Sequence, residues 1–133
     1  METPPEALNR IGKCRKNKRV SLDLRGLKLN IIPQEINDLT QIKELYLANN
    51  QLTNIEGLEN LVNLSTLDLF GNKLTKIEGL ENLINLKELY LSENQLTKIE
   101  GLENLTNLST LELFGNRLTK IEGLENLANL SIL

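Results

Sequence analysis

The sequence predicts an α/β repeat: a right-handed solenoid with a curved parallel sheet on one side, a 3₁₀ or irregular convex side, and an N-terminal capping helix. Three observations predict it. A pattern recurs with a period of 22 residues. Within each copy, leucines two apart give way to aliphatic residues three apart. A helix-like stretch precedes the first copy. Such stacked coils bury one continuous core that no single coil could build alone.

The helix comes first. Thr3-Pro4-Pro5-Glu6 has the spacing of a capping box, with Pro at the first helical positions. Leu8, Ile11 and Cys14 then share a face of a helix running to about Asn17, and that face is expected to cover the first strand. Residues 1–19 are read as this cap and residues 20–133 as the repeats, about five full copies and a truncated sixth. The cap is basic through Arg10, Lys13, Arg15, Lys16, Lys18 and Arg19. Residues 1–28 carry 8 basic and 3 acidic groups, net +5, and residues 29–133 carry 7 basic and 15 acidic groups, net −8. A basic run can touch phosphate or an acidic membrane. Cations near a helix C-terminus are also favoured by its dipole, which is the plainer account. No aromatic residue interleaves with the run, which argues against a nucleic-acid role.

The repeats follow. Ile42-Lys43-Glu44-Leu45-Tyr46-Leu47-Ala48-Asn49-Asn50-Gln51-Leu52 recurs in kind from Leu64, Leu86 and Leu108. A weaker copy from Val20 to Gln41 has Leu27 where the others have Asn, and another begins at Leu130. Leu67 and Leu69 have the period of a strand with one buried face, so Thr66 and Asp68 point the other way. Leu74, Ile77, Leu80 and Leu83 are three apart, as on a 3₁₀-like return path, and Gly79 supplies a bend. Asn50, Asn72, Asn94 and Asn116 fall just past each strand. Buried amides there can bond the backbone of the turn, so they are expected to form an internal ladder.

Composition narrows the chemistry. The chain has no His, so the commonest general base and metal ligand are both missing. A single Cys excludes an internal disulfide and a Cys-based zinc site. No enzyme activity, cofactor or metal is expected. The net charge of −3 gives no reason to expect nucleic acid. No segment reads as a signal core or membrane span, so a cytoplasmic, reducing setting is expected. The repeat phase ends on Leu130-Ser131-Ile132-Leu133, which begins a strand without a lid. A fragment of a longer protein, self-association through the open end, or fraying would each account for that.

The outward positions are the informative ones. They are Ser21 and Asp23, Glu44 and Tyr46, Thr66 and Asp68, Glu88 and Tyr90, Thr110 and Glu112, followed by Arg25, Ala48, Phe70, Ser92 and Phe114 beyond each strand. Tyr46, Phe70, Tyr90 and Phe114 are all the aromatics of the chain. Asp23, Glu44, Asp68, Glu88, Glu93 and Glu112 surround them. Exposed aromatics anchor interfaces, and the carboxylates suit a partner with basic and apolar surface. Residues 64–85 and 86–107 differ at seven of 22 positions, six of them on or beside the strand. Residues 64–85 and 108–129 differ at only three, so two strand types alternate with a 44-residue super-period. An array of anchors and a recent two-repeat duplication both give such alternation; only the first accounts for where the aromatics sit.

Residues 42–133 resemble the short 22-residue class of leucine-rich repeats. The Ile77-Glu78-Gly79-Leu80-Glu81-Asn82-Leu83 return segment is similar to that of the type-1 protein phosphatase regulatory subunit, and the repeat length to that of bacterial internalins. Residues 20–41, with Leu22-Asp23-Leu24-Arg25-Gly26-Leu27, look more like the opening repeat of bacterial and Roco-type proteins, which often join repeats to a GTPase. These resemblances imply a scaffold that binds another protein through its concave face. The recognition arm of a larger signalling protein and a designed repeat array are the alternatives.

Overall fold

The structure, a computed structural model, describes residues 2–133. Helix α1 spans Pro5–Lys16. Five three-residue strands follow at one position in successive coils: β1 (Ser21–Asp23), β2 (Glu44–Tyr46), β3 (Thr66–Asp68), β4 (Glu88–Tyr90) and β6 (Thr110–Glu112). With β8 (Ser131–Ile132) they form one six-stranded parallel sheet in chain order. Every strand pairs in equivalent register, Leu22 beside Leu45, Leu67, Leu89 and Leu111. The solenoid expected from the repeat is therefore present.

The core is aliphatic. Leu45, Leu47, Leu67, Leu69, Leu89 and Leu91 are fully buried, as are the return-path residues Leu58, Leu61, Leu83 and Leu105. The return path turns through i→i+3 bonds such as Leu83 N–H to the Leu80 carbonyl and Leu86 N–H to the Leu83 carbonyl, both 3.0 Å. One 3₁₀ turn is regular, at Gln34–Ile36. A second sheet, not foreseen from the sequence, pairs β5 (Lys98–Ile99) with β7 (Lys120–Ile121) on that side.

The asparagine ladder is present. Asn72 Nδ2 donates to the carbonyls of Leu47 (3.0 Å) and Leu69 (3.1 Å), while its Oδ1 accepts from Leu52 N–H at 3.0 Å. Asn94 and Asn116 repeat these bonds one and two coils on. Each amide thus ties its own coil to the preceding one. The first coil has Leu27 where an Asn would stand, and Asn50 Oδ1 accepts from both Leu27 and Leu29 N–H.

The cap departs from expectation in two ways. Pro4, not Thr3, occupies the N-cap, and no side chain caps the helix. Thr3 Oγ1 instead donates to Glu35 Oε1 at 2.6 Å, pinning the chain to the first coil. The buried face is Ala7, Ile11 and Cys14, and Leu8 is exposed. At 100° per residue, Ala7, Ile11 and Cys14 span a stripe about 60° wide, against about 120° for Leu8, Ile11 and Cys14. Two of the cap's cations hold it in place: Arg10 Nη1 donates to the Asp23 carbonyl (3.1 Å), and Arg15 bonds Asp38 and the Glu35 carbonyl. Burial pushes the Cys14 thiol up, so this buried thiol is a filler with little thiolate character. At the other end the core thins: Ile121, Ile132 and Leu133 are exposed, and Leu118, Leu124 and Leu130 are partly buried.

Candidate functional site

The residues between the strand leucines project from the sheet face opposite the core. Along its middle row, Asp23, Tyr46, Asp68, Tyr90 and Glu112 are register partners in successive strands. The row beside it runs Ser21, Glu44, Thr66, Glu88 and Thr110. Asp23, Glu44, Tyr46, Asp68, Phe70, Glu88, Tyr90 and Glu112 are all half-buried, and Glu93 and Phe114 are exposed. No aromatic of the described chain lies in the core.

Adjacent strands lie about 4.8 Å apart, so a large side chain on one coil reaches over its neighbours. Large and small residues alternate accordingly, and the large ones lean over the small. Phe70 and Phe114, two coils apart, bring their ring centroids to 6.2 Å in a tilted pair. Ser92 stands between them and is fully buried, its Oγ without a partner. Thr66, between Glu44 and Glu88, is 7% exposed and donates to Glu88 Oε1 at 3.1 Å. Ala48 is buried as well. All three keep the expected outward side of the strand layer, but they are buried there.

A second alternation runs along the turn after each strand. Asn49, Gly71, Glu93 and Gly115 all have positive φ, +58°, +69°, +56° and +71°. A Cβ on Gly71 would come within 2.6 Å of Asn49 Oδ1, and one on Gly115 within 2.5 Å of Glu93 Oε1. The glycine of one coil therefore makes room for the side chain of the coil before. Glu93 holds a left-handed conformation that costs a side-chain-bearing residue about 1–2 kcal/mol.

Hydrogen bonds order the face further. Tyr90 donates its phenol to Glu88 Oε2 at 2.6 Å. That bond, with partial burial and the Glu88 charge, holds its proton, so its pKa is pushed up to about 12. Partial burial and the neighbouring Glu44 also raise Tyr46. At the N-terminal end, Arg25 lies over the Tyr46 ring at 5.1 Å and forks onto Asp23, Nε to Oδ1 at 3.0 Å and Nη2 to Oδ2 at 2.8 Å. The fork holds the Asp23 carboxyl below its ordinary range. The sequence places Arg25 among the outward positions beside Asp23, but its contact with the Tyr46 ring of the next coil shows only in the structure.

No group of three or more metal-ligating side chains occurs among the described residues, and the sequence contains no catalytic motif. No helix among the described residues is long and apolar enough to cross a membrane.

Known proteins place the chain. A family model described as "Leucine Rich repeats (2 copies)" matches residues 40–82, 62–104 and 84–126. Leucine-rich repeat protein SHOC-2 of Danio rerio is 36% identical over 50 residues, 38% of this chain and 9% of that protein. An internalin, inlF, from Listeria monocytogenes superposes with a TM-score of 0.68 at 32% identity, covering 77% of this chain and 31% of that one. The ectodomain of the receptor kinase SOBIR1 from Arabidopsis thaliana gives 0.68 at 34% identity, covering 84% and 66%. The chain thus spans less than a tenth of the SHOC-2 protein and a third to two thirds of these solved relatives. With the matched segments running from residue 40 to 126, the chain belongs to the leucine-rich-repeat family.

Proposed function

We propose that the chain is a protein-binding scaffold that holds a partner bearing basic and apolar surface against its concave sheet face. The leucine-rich-repeat fold is typical of protein-interaction modules, because stacked coils present an extended hollow. The observation that carries the reading is the position of the four aromatics: Tyr46, Phe70, Tyr90 and Phe114 all lie on the one face, accessible and outside the core. Asp23, Glu44, Asp68, Glu88, Glu93 and Glu112 supply the charge that selects a basic partner. Residues 1–19 serve as the lid of this arc and residues 20–133 as its recognition surface, whether the arc acts alone or as the arm of a longer signalling protein. The free, buried Cys14 suits a reducing, cytoplasmic setting.

The test is a crosslinking pull-down from the source cell with Tyr46→Ala/Tyr90→Ala as control. The proteins captured by the wild type are expected to bind the folded double variant at least tenfold more weakly. Unchanged binding by a variant with wild-type circular dichroism places the site elsewhere.

A further inference from the structure

One end of the face already carries an arginine of the chain itself. Asp23 and Tyr46 are register partners in neighbouring strands, and Arg25 fills the space over both. Its guanidinium forks onto the carboxylate while its Cζ lies over the Tyr46 ring, 5.1 Å from the centroid. Two coils on, the same constellation recurs without its cation. Asp68 and Tyr90 are register partners as Asp23 and Tyr46 are. Asp68 Oδ1 accepts from Phe70 N–H at 3.1 Å, as Asp23 Oδ1 does from Arg25 N–H at 3.0 Å. The position of Arg25 is taken by Phe70, whose ring turns to Phe114. Asp68 Oδ2, the counterpart of the oxygen that Arg25 Nη2 reaches, has no hydrogen-bond or ion-pair partner among the described residues. Glu112 continues the row on the far side of Tyr90.

We propose that Asp68 and Tyr90 form a subsite for an arginine side chain of the protein partner, stacked on the Tyr90 ring and forked onto Asp68. This inference rests on the concave-face reading and deepens it by naming the chemistry of the anchor. Arginine is favoured over lysine because a planar fork can stack on a ring and bond a carboxylate at once, whereas an ammonium is a compact, strongly hydrated charge. Glu88 keeps the Tyr90 phenol bonded at 2.6 Å, which fixes the ring that the guanidinium would cover. The net charge of −8 over residues 29–133 favours a cationic visitor. The Phe70–Phe114 pair beside the subsite offers an apolar seat for the residue next to the arginine.

The probe is N-acetyl-arginine amide, titrated at low salt against the full chain, with N-acetyl-lysine amide alongside and the tyrosine ring resonances as readout. Tyr90 is expected to respond to arginine at least fivefold more strongly than to lysine, and Tyr46, already covered by Arg25, to respond little. Asp68→Asn should weaken the Tyr90 response at least fivefold. Arg25→Ala should make Tyr46 respond as Tyr90 does, and Phe70→Arg should fill the subsite from within and abolish the Tyr90 response. Equal responses to arginine and lysine, or a response indifferent to Asp68→Asn, overturn the subsite. Either result leaves the concave-face reading standing, since that reading falls only if Tyr46→Ala/Tyr90→Ala leaves partner capture unchanged.

Discussion

The inside of the solenoid and its concave face are built from the same repeats by opposite rules. Inside, the middle coils are alike: their leucines at equivalent positions are fully buried, and Asn72 and Asn94 make the same bonds, which Asn116 repeats. On the face, neighbouring coils differ: Tyr against Asp, Phe against Ser, Glu against Gly. The core wants identity, because each coil must fit the next in one geometry. The face departs from it: large side chains of one coil reach across small ones of the next, as Phe70 and Phe114 pair across Ser92. Alternation is thus partly a packing device, and the large members it raises into the hollow are the aromatics and carboxylates of the proposed site.

The largest effect should come from breaking the inner identity. Asn72→Ala leaves Leu52 N–H without a partner and removes one of the two amide donors on the Leu47 and Leu69 carbonyls, which keep Asn50 and Asn94 Nδ2. That buried orphan costs about 1–3 kcal/mol, so a loss of about 2 kcal/mol is expected in urea unfolding. Asn116→Ala should cost less, because its surroundings are only partly buried. Equal losses would mean that the ladder contributes little beyond local turn geometry.

A smaller effect should come from the face. Gly115→Ala puts a Cβ at φ +71° and against the Glu93 carboxylate. A loss of about 1–2 kcal/mol is expected from the backbone, with Glu93 free to swing aside into solvent. Glu93→Gly relieves the same strain one coil earlier and should stabilise the fold by up to about 1 kcal/mol, offset by the freedom that glycine gains when unfolded. If that variant is less stable, the Glu93 side chain contributes contacts that outweigh its strained φ.

The smallest change is spectroscopic. With two tyrosines and no tryptophan, phenolate absorbance resolves the face directly. Tyr90 should ionise at about 12, after Tyr46, and Tyr90→Phe should delete the later step. A tyrosine whose pKa is raised in the fold is stabilised below its ordinary value of about 10. That contribution is lost as pH rises through about 12.

Much of this was legible in the residues. The two-residue spacing of Leu67 and Leu69 fixed which side chains face the core, and the Asn at one phase of every full copy predicted the ladder. Less visible was what happens between coils. A register gives the order of side chains but not their lean, so it puts Ala48, Thr66 and Ser92 on the outward side without showing that they are buried there. The buried face of the helix is hidden in the sequence for a related reason. Leu8 is the larger apolar residue, but Ala7 falls on the narrower stripe with Ile11 and Cys14 and permits closer approach to the first coil. The β5–β7 pairing depends on how closely neighbouring return paths approach, which the Lys98-Ile99 and Lys120-Ile121 sequences do not state.

The central claim is that recognition belongs to the varied face and not to the uniform return path. Calorimetry with a captured partner can compare two double variants of matched stability, Tyr46→Ala/Tyr90→Ala on the sheet and Glu78→Ala/Glu100→Ala on the return side. The account predicts at least a tenfold loss of affinity for the first and less than a twofold change for the second. The reverse order, or equal losses, would contradict it.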